Sequence, residues 1–386
     1  MSLWSWGANS HGQLGLGIIN EQIEKPTKVE DIHLYENKIK QISCGGGHSL
    51  LLDDAGKLYC CGWNNKLQLA TQDEVNTFHR TWKLSGITFT NIACGWDFSC
   101  GVTDDHYLFV WGSNSHGQLG LPKEHFSESM RPIRLEVKAN NVSMGLRHTA
   151  IVNSKGQVWT TGCGKHGQLG LGSNVLSSDR FQQVEGVGKI SHIACGQNHT
   201  VAWCSDQKAL YVWGDNKFGQ LLLCSQKYRK LYKPNKIDID VKQQVRKLLS
   251  GWTNVLLWLE NGTMLTWGRN NLGQSGTENV IPVGRFAQIS LPEGREVKDI
   301  ALGSEHTICL ATDNTIWAWG WNEHCNTGIK SENNILKPTL LPLDLNKNSI
   351  ITQIYSGSAH NFIVIEESRI EEADNNANNE LNSQEI

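Results

Sequence analysis

Trp6-Gly7-Ala8-Asn9-Ser10-His11-Gly12-Gln13-Leu14-Gly15 returns almost unchanged as Trp111 to Gly120, WGSNSHGQLG. Looser copies begin at Cys61 (CGWNNKLQLA), Thr161 (TGCGKHGQLG), Trp213 (WGDNKFGQLL), Trp267 (WGRNNLGQSG) and Trp319 (WGWNEHCNTG). The marker glycines Gly7, Gly62, Gly112, Gly162, Gly214, Gly268 and Gly320 follow one another at 50 to 55 residues. A second marker precedes the first within each unit: Gly45-Gly46-Gly47-His48, Gly145-Leu146-Arg147-His148, Gly196-Gln197-Asn198-His199, Gly303-Ser304-Glu305-His306 and Gly357-Ser358-Ala359-His360. Two copies lack the histidine, Gly95-Trp96-Asp97-Phe98 and Gly251-Trp252-Thr253-Asn254. A fixed period of this length means an array of like units, here seven.

Each unit reads as β structure. Thr200-Val201-Ala202-Trp203 leads into the polar turn Ser205-Asp206-Gln207-Lys208 and out through Leu210-Tyr211-Val212-Trp213, the signature of a hairpin. A hairpin cannot bury its apolar faces alone, so the units must pack on one another. Seven all-β units of about fifty residues predict a seven-bladed β-propeller over residues 1–365, four strands to a blade. The last hairpin, ending Phe362-Ile363-Val364-Ile365, lacks a Trp-Gly strand, and Leu3-Trp4-Ser5-Trp6 is the spare one. The two ends are therefore expected to share a blade and leave no open edge. Residues 366–386 carry seven acidic side chains against one arginine, with many asparagines, and are expected to be a disordered tail.

Composition narrows the function. With 35 Lys+Arg against 38 Asp+Glu, the net charge of −3 argues against direct nucleic-acid binding, which needs a cationic excess. Eleven cysteines with no CxxC pair read as buried thiols in a reducing compartment. No window nears 18 consecutive apolar residues, and the opening Met-Ser-Leu-Trp-Ser-Trp has neither a basic nor an apolar leader segment. The expectation is a cytoplasmic, or also nuclear, monomer with no integral membrane segment and no cofactor.

The paired WGxNxxGQLG and GxxHT markers resemble the regulator-of-chromosome-condensation repeat, over residues 1–365. Kelch and WD-type propellers fit less well, because no di-glycine or Trp-Asp ending recurs. Within that superfamily, ACGWDFS at 93–99, WGWNEH at 319–324 and the opening WGANSHGQLGLG look like the secretion-regulating guanine nucleotide exchange factor family. The resemblance implies a small GTPase as partner, and secretory machinery as a further one. In the superfamily's Ran exchange factor, it further implies, acidic and histidine residues of these loops are functional, and a wedge inserted in one turn presses on the GTPase. The seven WGxN decamers here have one length, so no wedge is visible in them. A plant-type ultraviolet photoreceptor reading would need repeated Gly-Trp-Arg-His-Thr loops. Trp96 and Trp252 are instead followed by Asp97 and Thr253, on blades that are not neighbours.

Hairpin logic puts both glycine markers on one face of the propeller. The marker glycines and the Asn of WGxN are expected to make turns. The five repeated histidines are expected to bridge blades; one per blade, they stand too far apart to share a metal. The two middle positions of GxxH vary and should surround the mouth of the central channel. There, exposed aromatic and charged side chains are natural binding anchors. The candidates are Trp96, Asp97, Arg147, Trp252 and Glu305, with Trp321 and Glu323 from a neighbouring turn. Trp96 and Trp252 have an alternative role, filling the space of the two missing histidines. A second candidate surface is Lys227-Tyr228-Arg229-Lys230-Leu231-Tyr232-Lys233-Pro234-Asn235-Lys236, with five basic residues in ten. Lys227, Arg229, Lys230, Lys233 and Lys236 would attract an acidic partner, an anionic membrane or the acidic tail, unless the stretch is simply a solvated loop.

Enzyme motifs are absent or explained by the repeat. Gly162-Cys163-Gly164-Lys165-His166-Gly167 spells GxGxxG but is the fourth WGxN turn and opens no helix. There is neither a GxxxxGK[ST] loop nor a GxSxG elbow. Cys44, Cys94 and Cys195 share one repeat position, which suggests packing. Two functions stand side by side: an exchange factor acting through the marker face without catalytic residues of its own, and a scaffold that binds a GTPase or secretory complex without promoting exchange.

Overall fold

The computed structural model describes residues 1–30, 36–81, 86–122, 132–282 and 284–367. Its strands form seven four-stranded antiparallel sheets. In chain order, blade I spans residues 39–80, II 89–138, III 141–183, IV 192–238, V 245–289 and VI 297–340. Blade VII joins the two ends of the chain: Ser349–Ser356 and His360–Glu367 pair with Ser2–Ala8 and Gln22–Lys28. The register there runs from Ser2 opposite Ile365 to Gly7 opposite His360. The expected closure by shared termini is therefore the observed one. The last strand extends through Glu367, two residues beyond the expected boundary, and the rest of the acidic tail, 368–386, lies outside the described residues.

Burial explains why hairpins of this composition assemble in a ring. The second strand of most blades, such as His48–Asp53, Phe98–Thr103 and His306–Ala311, is buried at every position, on both faces. Outermost strands such as Ile335–Leu340 are mixed or exposed. The apolar side chains fall into seven clusters, one at each junction between adjacent blades. Innermost strands contact one another around the ring and enclose a polar channel of about 430 Å³. Among the described residues no helix is long and apolar enough to cross a membrane.

Candidate partner-binding face

The repeated motif is a joinery that ties each blade to the next. All seven Trp-Gly glycines have φ between +95° and +109°, and at Gly7 a Cβ would run into the Ala359 carbonyl oxygen. In the turn that follows, the Asn side chain accepts from a backbone N–H five residues on, as Asn114 Oδ1 does from Leu119 at 3.0 Å. The Gln side chain accepts from the N–H two residues back, as Gln118 does from His116 at 2.8 Å. The carbonyl oxygen of that Gln then reaches the next blade. That of Gln68 accepts both the Trp111 indole N–H at 2.8 Å and the Ser99 hydroxyl at 2.9 Å. Gln168 serves Trp213 and Thr200 in the same way, and Asn326 takes this place for Trp6 and Asn361. These glutamines were not singled out from the sequence, although they recur in six of the seven decamers.

The histidines complete the joinery. His48, His148, His199, His306 and His360 are fully buried, and each Nε2 meets a Ser, Thr or Asn of the following blade at 2.8–3.1 Å. Ser99, Thr200 and Ser49 already donate their hydroxyl hydrogen to a Gln carbonyl, so the imidazole must donate from Nε2. That leaves Nδ1 bare against the first glycine of GxxH, where it finds no partner. A second proton would sit there unpaired, and burial holds all five pKa values down at about 3 to 4. These are inter-blade bridges, as expected. The thiols of Cys44, Cys94 and Cys195 line the channel, and burial raises all three, to about 12 for Cys94 and Cys195.

The GxxH loops link into a belt around the channel mouth. Backbone N–H to carbonyl bonds run from Gly46 to Trp96, Leu146 to Gln197, Gln197 to Trp252, Trp252 to Ser304, Ser304 to Ser358 and Ser358 to Gly45. Trp96 and Trp252, on blades II and V, are half-buried and meet across the mouth, ring centroids 5.4 Å apart and inclined at 52°. Neither fills a missing histidine's space. The Phe98 ring occupies that slot against Gly95, and Asn254 occupies it against Gly251. Non-adjacent blades are no obstacle to the contact, because the two side chains span the channel.

The charged candidates separate. Arg147 is exposed. Asp97 is half-buried, and burial raises its carboxyl pKa against the opposing pull of a Ser113 hydrogen bond and of Lys66 and Arg147. Glu305 is not the exposed anchor expected: at 6% exposure it accepts the Thr253 hydroxyl at 2.8 and 3.0 Å and the Gln274 amide at 2.7 Å. The Arg269 guanidinium stands 3.8 Å away, and burial still raises the pKa of the Glu305 carboxyl. Its neighbours consume the charge that was to face a partner. Trp321 donates its indole N–H to the exposed Glu323 at 3.1 Å and stands edge-on to His324.

Four of the indoles converge. Trp63, Trp96, Trp252 and Trp321 line one cavity of about 400 Å³ over the channel mouth, with Arg269 and Glu305 in its wall. Trp63 and Arg269 escaped the sequence reading, yet they occupy the variable position of WGxN that Trp321 also occupies. Only the start of the basic stretch, residues 227–229, lies in a turn; from Lys230 on it is strand and not loop. Lys230–Asp238 is the outermost strand of blade IV, beginning opposite Asp215 and ending opposite Ala209. Lys227, Arg229, Lys233 and Lys236 are exposed; Lys230 reaches the Lys165 carbonyl, and Lys236 pairs with Asp238 at 2.9 Å. The uniform turn length also holds only for the decamer. The connection on to the outermost strand covers residues 63–74 in blade I but 113–132 in II and 269–286 in V, and 123–131 lie outside the described residues. The decamers therefore do not decide whether a blade carries an inserted element.

Residues 2–363 match the model of the RCC1-like domain family. The chain is 32% identical over 394 residues to the mouse secretion-regulating guanine nucleotide exchange factor, covering 94% of this chain and 83% of that protein. It is 29% identical over 334 residues to the Arabidopsis thaliana ultraviolet-B receptor UVR8, covering 84% and 74%. Among solved structures, Prp20p of Saccharomyces cerevisiae, described with its binding to Gsp1p and histones, superposes with a TM-score of 0.83 at 21% identity, covering 96% of this chain and 92% of that one.

Proposed function

Because the chain belongs to the RCC1-like domain family, we propose that its marker face binds a small GTPase and promotes guanine nucleotide release, in the service of secretion, from the cytoplasm or nucleus. The observation that carries this reading is the convergence of four indoles on one cavity at the mouth, with Arg269 and Glu305 in its wall; Asp97 and Arg147 stand on the variable positions of the same GxxH loops. Tryptophan and arginine are the side chains most enriched where binding energy concentrates. Near-full-length likeness to an exchange factor supplies the kind of partner. Such a face would act by differential affinity, holding the GTPase most tightly when its nucleotide site has opened. Asp97 is the carboxylate available to compete for basic phosphate-binding groups; Glu305, in the cavity wall, is already satisfied internally. That internal use of Glu305 favours a second reading, a scaffold that holds a GTPase or secretory complex without accelerating exchange.

Release of a fluorescent guanine nucleotide from a panel of purified small GTPases distinguishes the two. The exchange reading expects wild type to accelerate release from one member and Asp97→Ala and Arg147→Ala to lose that acceleration. Binding without acceleration would establish the scaffold, and binding to no member would overturn both.

A further inference from the structure

Trp321 is the partition between two cavities. On one side lies the indole-lined cavity of about 400 Å³, and on the other a cleft of about 870 Å³ between the turn of blade VI and the outermost strand of blade VII, with Leu272 of blade V beside Trp321 in both walls. The indole is fixed in this position by the Glu323 carboxylate and by the His324 ring, their centroids 5.2 Å apart at 83°. The cleft is acidic: Glu24, Glu323 and Glu332, all exposed, face a single cation, Lys330. After burial, the charge of Glu24 is what raises the Cys325 thiol pKa in its floor. In the indole cavity the carboxylate of Glu305 is met by Arg269, whose guanidinium is shared among the Phe218 ring at 4.7 Å, Asn271 and Glu305 itself.

We infer that these two cavities form one composite site for a basic segment of a partner protein, a lysine or arginine side chain entering the indole cavity and flanking basic residues lying along the acidic cleft. Among aromatic rings the indole face attracts cations most strongly. Across the two cavities four carboxylates stand against two cations, so an acidic segment would be repelled from the same ground. At the outer rim of blades III and IV, by contrast, Lys165, Lys227, Arg229 and Lys233 are exposed, and His166 there is held down by burial and by the charge of Lys230. A partner with an asymmetric charge distribution would thus meet the face in one orientation. This inference does not require the partner to be a GTPase.

The test is a titration of the full chain with a fluorescein-labelled nonapeptide of alternating arginine and serine, followed by anisotropy and by quenching of tryptophan emission. Matched peptides carry leucine or glutamate in place of arginine. The arginine peptide should bind at least about tenfold more tightly than either, and added salt should weaken it. Trp321→Ala should weaken binding by about tenfold, and the pair Glu24→Gln and Glu332→Gln by several-fold, with unfolding midpoints unchanged. If Trp321→Ala does not fold, Trp321→Phe and the glutamine pair carry the comparison. Equal or tighter binding of the leucine peptide would make the site simply apolar and overturn the inference. So would arginine-peptide binding indifferent to Trp321, Glu24 and Glu332. The titration contains no GTPase, so its failure leaves the exchange reading to its own assay.

Discussion

Lowering the pH from 7.5 to 5.5 should cost the propeller about 7 kcal/mol of stability, through the five imidazoles at its blade junctions. Their folded pKa values stand near 3 to 4, whereas an unfolded histidine titrates near 6.5. The unfolded chain therefore binds more protons between those limits. The histidines' contribution is complete above about pH 6.5 and is lost as the pH falls towards the folded values. At pH 5.5 protonation stabilises each unfolded imidazole by about 1.4 kcal/mol while the folded rings stay neutral, and unfolding takes up about 4.5 protons in all. No carboxylate offsets this, since the rings' partners are hydroxyls and an amide oxygen. Asp97 and Glu305, whose pKa values burial raises, act in the opposite sense but number only two. Urea unfolding followed by tryptophan emission at pH 7.5, 6.5 and 5.5 measures the loss. In His148→Asn, which copies the residue blade V already uses at Asn254, the pH-dependent loss should shrink by about one fifth. A midpoint that does not move over this range, or NMR titration of these rings near pH 6.5, would refute the account of the junctions.

Trp6→Ala should destabilise the chain by about 3–5 kcal/mol, since Trp6 is fully buried at the junction of blades VI and VII and its indole bonds the Asn326 carbonyl at 3.2 Å. A cost below about 1 kcal/mol would mean that the terminal strand does not lock the ring. In a double-mutant cycle, Trp96→Ala and Trp252→Ala should couple by about 0.5–1.5 kcal/mol despite lying three blades apart, and strict additivity would deny their contact. Of the eleven thiols, exposed Cys224 should react fastest with a disulfide reagent at neutral pH, with Cys44, Cys94 and Cys195 slow because little thiolate forms there; rapid labelling of the channel thiols would contradict their raised pKa values.

Repetition made the fold legible, because a side chain with the same task in each of seven units betrays that task by recurring. Gly7 and its six counterparts, Asn9 and its counterparts, and the five GxxH histidines could each be read this way. So could the pairing of Ser2–Ala8 with the final strand, since it followed from counting a missing copy. What recurrence does not reveal is what happens once. The meeting of Trp96 with Trp252 depends on the width of the channel, which no spacing along the chain encodes. Glu305 looked free because its slot varies, yet Thr253, Gln274 and Arg269 come from the preceding blade to consume its charge. The strand Lys230–Asp238 lies at a sheet edge, where lysines are common and apolar alternation is not needed, so its sequence imitates a loop.

The central claim, that partners bind on the marker face, is tested most directly by titrating nucleotide-free small GTPases against two charge reversals. Arg147→Glu lies at the channel mouth; Asp206→Arg lies in the Ser205 to Lys208 turn at the far end of its hairpin. For a GTPase that binds wild type, the first should weaken binding by about tenfold or more and the second by less than about twofold. The reverse order would place the partner on the opposite face and contradict the account.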